Sequence, residues 1–172
     1  MNLEKGNKEF LDKLDNNKEL EDRRDELVKG QHPDTLVITC SDSRVIPEFI
    51  FNASLGDIFV IRTAGNVINE GELATVEYAI EHLKVKHIVV LGHTHCGAIH
   101  ASIHNEKGKY LDPILNRIKF NIGNICDELE ASKINAIKEV EFIKEKFPHF
   151  EGTIESKIYD IETSMVYSCS NN

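Results

Sequence analysis

Long apolar segments are absent from the 172-residue sequence. No run approaches the roughly 18–20 residues that a membrane span needs. Residues 1–26 are charged throughout and hold no apolar stretch of the kind that marks a secretion signal. These absences predict a cytoplasmic protein that does not associate with membranes.

Cysteine is scarce, and no C-x-x-C motif occurs among Cys40, Cys96, Cys126 and Cys169. The lack of that motif weakens a thioredoxin-like redox function. Disulfides are rare in a reducing compartment, so a metal site or a catalytic thiol is the better use for some of these residues. We expect Cys126 and Cys169 to be structural or incidental.

Positive charge is also in short supply, with 20 Lys and Arg against 29 Asp and Glu and a net charge of −9. This acidity argues against nucleic acid or an anionic membrane surface as a partner. Internal repeats, low-complexity tracts and flexible linkers are missing as well. We therefore expect a single domain over residues 1–172.

The amino-terminal segment, residues 1–31, has a different texture from the rest. It is typical of one or two amphipathic helices, with an apolar stripe formed by Leu3, Phe10, Leu11, Leu14, Leu20 and Leu27. So few apolar groups cannot fold alone, which predicts a helical arm that packs on its own body or on a partner's.

Residues 32–172 alternate β-branched runs with helical patterns and predict an α/β core. The apolar runs 35–39, 57–62 and 87–92 are typical of parallel strands covered on both faces by helices. Helical patterns fall at 72–83, 112–120 and near 124–147, and a late hairpin or edge strand is expected from 153–159 and 165–168. The predicted fold is a mostly parallel sheet flanked by helices.

Two motifs follow strands of this predicted sheet. Cys40-Ser-Asp42-Ser-Arg44 follows the first, and His93-Thr-His95-Cys96 follows the third. Ligands of open parallel sheets bind at the carboxyl ends of the strands. Two thiolates and one imidazole suit zinc or another thiophilic metal, and three protein ligands with one open position are typical of catalytic zinc.

Each of these residues also has a plainer interpretation. A cysteine that ends a buried strand is usually a small core residue, and a single His-x-x-Cys is too short to be specific for metal. Asp42 is also suited to cap the next helix, and Arg44 to form an ordinary ion pair.

The combined motifs resemble those of the β-class carbonic anhydrases, in particular the compact archaeal and bacterial branch. The resemblance covers roughly residues 32–167. It rests on C-x-D-S-R at 40–44, R-x-A-G-N at 62–66 and G-H-T-x-C-G at 92–97, with support from residues 77–79 and 159–163.

The resemblance implies that Cys40, His93 and Cys96 hold one zinc ion per chain, beside a catalytic dyad of Asp42 and Arg44. It implies reversible hydration of carbon dioxide to bicarbonate and a proton by zinc-bound hydroxide. In this family the aspartate also becomes a fourth zinc ligand in a closed, inactive state, so Asp42 is a conditional ligand.

The same resemblance places Gly65 and Asn66 beside the substrate pocket. His95 departs from the family pattern, since many relatives have Asp or Glu there. It is either an exposed loop residue, a proton shuttle or a competing ligand. His100 and His104 are further shuttle candidates. Because the sequence has no Trp, it cannot build the tryptophan-containing regulatory bicarbonate site of some relatives.

The resemblance also implies a homodimer or homotetramer that forms partly through the amino-terminal helices. Three other functions stay open: hydrolysis of carbon disulfide or carbonyl sulfide on the same scaffold, a zinc-binding domain without turnover, and a cysteine hydrolase that uses Cys40 and His93.

Overall fold

The computed structural model describes residues 1–169, which form an α/β fold around one sheet. Within this range the sheet has five strands in the order β2-β1-β3-β4-β5. Neighbouring strands are parallel except for β4 and β5, which are antiparallel. The strands are β1 (Thr35–Cys40), β2 (Ile58–Thr63), β3 (His87–His93), β4 (Thr153–Tyr159) and β5 (Val166–Ser168).

Seven α-helices surround the sheet in the described part of the chain. They are α1 (Leu3–Asp15), α2 (Lys18–Leu27), α3 (Pro47–Ile50), α4 (Glu70–Tyr78), α5 (Gly97–Ile103), α6 (Asp112–Ile122) and α7 (Glu128–Lys146). Helix α4 continues into a wider π-helical turn at Ala79–Leu83, and a short 3₁₀ turn at Ala64–Asn66 follows β2.

Side-chain caps explain where several helices begin. Asn2, Asn17 and Asp127 accept hydrogen bonds from the first turns of α1, α2 and α7. Asn69 and Glu72 form a reciprocal capping box at the start of α4. These caps satisfy amide groups that a helix cannot pair internally.

The core lies on both faces of β1 and β3. One face carries Leu36, Ile38, Ile88 and Val90, which pack with residues of α4 and α7. The opposite face carries a smaller cluster of Val37, Val45, Val89 and Leu91. Because successive side chains of a strand point to opposite sides, a continuous apolar run is buried only where both faces are covered.

The predicted fold class is confirmed, including the parallel sheet, the helical arm and the antiparallel edge strand β5. Full burial of the run 57–62 is wrong, because β2 lies at the edge of the sheet and only Ile61 within it is buried. The helix expected near 124–147 begins later, at Glu128, where Asp127 caps it. The domain boundaries 1–172 stay a prediction, and residues 170–172 lie outside the described range.

The amino-terminal arm leaves half of its apolar stripe exposed. Leu14 is buried, whereas Leu3, Phe10 and Leu11 are exposed. Arg23 ties α2 to the loop before β2 by donating to the carbonyl oxygen of Leu55 at 3.0 Å. No helix among residues 1–169 is both long and apolar enough to cross a membrane.

The strand order brings the two sequence motifs together. Strands β1 and β3 are direct neighbours, with Thr39 opposite Leu91, and the Thr39 hydroxyl donates to the Leu91 carbonyl at 2.8 Å. Because the strands are parallel, their carboxyl-terminal residues lie close together at the same end of the two strands. Cys40 and His93 are those residues.

Candidate metal centre

Cys40, His93 and Cys96 bring three ligand atoms within 4.8 Å of one another, and all three residues are buried. The two sulfur atoms are 4.0 Å apart. In the part of the chain that the structure describes, no other group of three such residues is this close. The structure therefore brings together the three residues that the sequence analysis named as candidate ligands.

The turn between β3 and α5 returns Cys96 to His93. His95 adopts a positive φ of 56°, which reverses the chain, and Cys96 then lies at the start of α5. Both cysteines also belong to an apolar cluster with Ile99, Ile118 and other residues near α5 and α6. The ligand atoms therefore face surroundings of low polarity.

His93 offers one bare ring nitrogen. Its Nδ1 lies 2.8 Å from the carbonyl oxygen of Thr94, so Nδ1 must carry the hydrogen and donate. The Nε2 atom then holds a free lone pair, yet it is buried and has no hydrogen-bond partner. Burying a hydrogen-bond acceptor without a partner costs free energy, and a metal ion bound to Nε2 would remove that cost.

The two thiols are coupled through their short separation. The pKa of Cys40 is lowered because Cys96 donates a hydrogen bond to its sulfur, and the backbone N–H of Gly65 contributes in the same direction. The pKa of Cys96 is raised by its hydrogen bond to Cys40 and by burial. One proton shared by two sulfurs is an arrangement that a metal cation would replace.

The donor set fits zinc. Two sulfurs about 2.3 Å from one tetrahedral ion lie about 3.8 Å apart, close to the separation observed here. Together with the bare Nε2 of His93, they supply three of four tetrahedral positions.

Asp42 and Arg44 form a two-pronged ion pair next to this group. Arg44 donates from Nε to Oδ1 at 2.9 Å and from Nη2 to Oδ2 at 2.7 Å, and its backbone N–H also donates to Oδ1. These bonds hold the pKa of the Asp42 carboxyl well below its usual range. Arg44 Nη2 also donates to the carbonyl oxygen of His95 at 3.1 Å, which links the two motifs.

Arg62 is a brace to which the sequence assigned no role. It donates to three backbone carbonyl oxygens, those of Cys40 at 3.2 Å and of Asp42 and Val45 at 2.7 Å each. The loop after β1 is thereby fixed from the neighbouring strand. Its place in the R-x-A-G-N motif could have indicated that Arg62 has a role. The contacts themselves could not be predicted, because they depend on the pairing of β2 with β1.

Gly65 and Asn66 lie beside the ligands, in the turn after β2. The Gly65 N–H donates to Cys40 Sγ at 3.3 Å. Gly65 has a φ of +67°, and a Cβ there would lie 2.8 Å from the Cδ1 atom of Ile118. Asn66 is buried, and its Nδ2 has no hydrogen-bond partner.

The other candidate residues lie outside the three-ligand group. His95 is exposed and its Nε2 is 2.9 Å from the carboxylate of Glu162, and His100 pairs with Glu128 at 2.6 Å. The ring of His104 lies 4.1 Å from that of His100. Cys126 is exposed, and Cys169 is buried in the main core cluster.

Comparisons with known proteins agree on one family. The carbonic anhydrase family model matches residues 35–147. A carbonic anhydrase of Helicobacter pylori is 32% identical, over 87% of this chain and 82% of its own length. A carbonic anhydrase of Synechococcus elongatus is 52% identical over 81 residues, which are 44% of this chain and 30% of that protein. The matched segments span 30% to 40% of the length of the curated relatives with about 50% identity.

A solved structure of similar shape gives the class of the fold. One of the tetrameric β-carbonic anhydrases of Sordaria macrospora has a TM-score of 0.81 and 27% identity, over 96% of this chain and 93% of that one. The fold is that of the β class. The chain belongs to the carbonic anhydrase family.

Proposed function

We propose that this protein catalyses the reversible hydration of carbon dioxide to bicarbonate and a proton, with one zinc ion per chain held by Cys40, His93 and Cys96. The observation that carries the proposal is the buried ligand group with its bare Nε2. The relatives are named carbonic anhydrases, which favours this reaction over carbon disulfide or carbonyl sulfide hydrolysis and over a zinc domain without turnover.

Zinc in such a site acts as a Lewis acid and makes water a nucleophile at neutral pH. The residues of the chain then have to orient that nucleophile. Asp42 is suited to this task because it stays ionised beside Arg44 and can only accept hydrogen bonds. Its carboxylate would accept a hydrogen bond from the nucleophile and so direct a lone pair of the nucleophile's oxygen toward the carbon atom of carbon dioxide.

Arg44 would decide which role Asp42 takes. While both guanidinium contacts are made, the carboxylate is held away from the ligand group, and Asp42 is not a member of that group. Loss of these contacts would free Asp42 to become a fourth ligand. The geometry described here supports the state in which Asp42 orients the nucleophile.

Gly65 and Asn66 would form one wall of the substrate pocket. The unpaired Nδ2 of Asn66 is a donor suited to an oxygen of bicarbonate. His95, exposed beside Cys96 and paired with Glu162, is positioned to carry the product proton to solvent.

We further propose a cytoplasmic homodimer or homotetramer. The Sordaria macrospora proteins are described as tetrameric, and the uncovered apolar stripe of α1 is suited to a second copy of the chain.

Stopped-flow measurement of carbon dioxide hydration, with zinc content assayed on the same sample, tests the proposal. We expect activity to fall with zinc content on chelation and to return when zinc is restored. Hydration activity that persists in metal-free protein would contradict the proposal. Sulfide release from carbon disulfide or carbonyl sulfide, without bicarbonate formation, would contradict it in favour of the related hydrolase.

A further inference from the structure

A line of buried polar groups connects α6 and α7 to the sulfur of Cys40. Asn135 Nδ2 donates to the carbonyl oxygen of Gly65 at 2.9 Å, and the N–H of Gly65 donates to Cys40 Sγ at 3.3 Å. On its other side, Asn135 Oδ1 accepts from Asn121 Nδ2 at 2.9 Å. All four residues are buried. The turn that contacts Cys40 is therefore also bonded to α7.

Glu139 sets the direction of these hydrogen bonds. It is fully buried, and its Oε1 accepts from Asn121 Nδ2 at 2.7 Å. A carboxylate only accepts, and so does the carbonyl oxygen of Gly65. Asn121 must therefore use its amide nitrogen toward both Glu139 and the Asn135 oxygen. Asn135 is left with one orientation, in which its own nitrogen faces Gly65.

Arg117 forms an ion pair with Glu139 and holds its carboxylate in place. It donates from Nε to Oε1 at 2.9 Å and from Nη2 to Oε2 at 3.1 Å. Its guanidinium carbon also lies 4.1 Å from the ring centre of Phe142. The charge of the buried carboxylate is thus compensated within the contact of α6 and α7.

Helix packing alone does not account for this arrangement. Replacing a buried ion pair with apolar side chains of similar volume is often neutral or stabilising. Apolar residues could therefore join α6 to α7 equally well. What they cannot do is donate a hydrogen bond to the carbonyl oxygen of Gly65.

We propose that Asn135 is a positioning residue for the metal centre, oriented by Asn121 and Glu139. It holds the turn at Gly65 so that the N–H of this glycine stays directed at Cys40 Sγ. The inference rests on the proposed metal-dependent function. Partners that orient metal ligands typically change metal affinity by about 10- to 100-fold when they are lost.

The test replaces zinc with cobalt(II), whose thiolate-to-metal charge-transfer absorption reports on the sulfur ligands. Asn135→Leu keeps a similar volume and removes the donor. We expect its charge-transfer band at longer wavelength than in the wild-type protein, because a thiolate that loses an N–H donor gives up an electron more easily. We also expect a cobalt dissociation constant raised by about 10-fold.

Val140→Ala is the matched control on the same helix. Val140 is buried in the main core cluster and takes no part in the polar line, so its truncation should lower stability while band position and cobalt affinity stay at wild-type values. Glu139→Gln keeps an acceptor for Asn121, so the charge-transfer band of this variant should stay close to the wild-type wavelength. Asn135→Ala, which also removes the donor, carries the same expectation as Asn135→Leu and serves if the leucine variant does not fold.

The outcomes separate this inference from the function on which it rests. The wild-type protein could show the charge-transfer band while the folded Asn135 variants keep the same band position and the same cobalt affinity. That result would overturn the positioning role alone. A shift of equal size in Val140→Ala would also overturn it, since general loosening of α7 would then be sufficient. A wild-type protein that binds cobalt without a thiolate band would overturn the proposed metal centre and this inference together.

Discussion

Arg44 and Arg62 show how two side chains of the same type do different work beside one site. Among the described residues, Arg62 donates its hydrogen bonds to backbone carbonyl oxygens, so it fixes the path of the loop. Arg44 instead binds the carboxylate of Asp42 through both oxygens. It follows that replacing Arg44 should change catalysis far more than folding.

Arg44→Ala should lower the rate of carbon dioxide hydration by about 10²-fold, because the carboxylate that orients the nucleophile loses its anchor. Zinc content should stay near the wild-type value, since none of the three proposed ligands is altered. Stopped-flow rates and metal analysis of one preparation measure both quantities. Arg24→Ala, which removes another short Arg–Asp contact at 2.7 Å on the surface of α2, is the control. Wild-type rates in Arg44→Ala would contradict the dyad.

Gly65→Ala should destabilise the protein. A left-handed backbone conformation costs an L-residue about 1–2 kcal/mol, and the new Cβ would also press on Ile118. Chemical denaturation measures the change in the free energy of unfolding. Gly71→Ala is the matched control, because a Cβ at this position of α4 meets nothing within 4 Å and should stabilise the helix by about 0.5–1 kcal/mol. Equal effects of the two substitutions would refute the argument.

The three proposed ligands were predictable from sequence because each lies in a motif that follows a strongly apolar strand. The supporting residues were not. Asn135 and Glu139 are spaced on α7 like ordinary helix residues, and their meaning comes from Gly65, which is distant in sequence. Local periodicity carries no information about such a contact.

At the scale of elements, the runs that became β1 and β3 were recognisable because both of their faces are buried. Strand β2 has a similar composition but lies at the edge. Which strand occupies the edge depends on the order of strands in the sheet, and a single apolar run does not encode that order. The start of α7, in contrast, has a local cause in Asp127.

Asp127→Ala should lower the free energy of unfolding by about 1 kcal/mol, because the cap accepts from the N–H of Glu130 at 2.8 Å. Thermal or urea unfolding followed by circular dichroism measures the loss. Glu141→Ala removes an exposed acidic residue in the middle of the same helix and should have a smaller effect. If the two variants were equally stable, α7 would not depend on its cap.

The whole molecule should respond to metal through its stability. A ligand that binds only the folded state at 100 times its dissociation constant stabilises it by about 2.7 kcal/mol. Chelation should therefore lower the Tm of the wild-type protein, and zinc should restore it. Calorimetry of Cys40→Ser with and without chelator is the comparison, and its Tm should change much less. An identical shift in both proteins would place the responding metal elsewhere.

Assembly belongs to the same scale. Exchange of Phe10 and Leu11 for serine removes two exposed apolar side chains from α1 and should yield a smaller species than the wild-type oligomer. Sedimentation velocity measures the size, and Lys13→Ser on the same helix is the control. An unchanged oligomer in the double variant would exclude the α1 stripe as an interface.

The neighbouring positions of β1 and β3 have a consequence for biosynthesis. Cys40 leaves the ribosome well before His93 and Cys96, and β2 and α4 are made in between. A nascent chain therefore carries a solitary thiol that has neither its imidazole nor its second sulfur. Metal binding at the proposed site would have to wait until β3 has docked against β1, so the order of translation would delay binding of the ion until the sheet has formed.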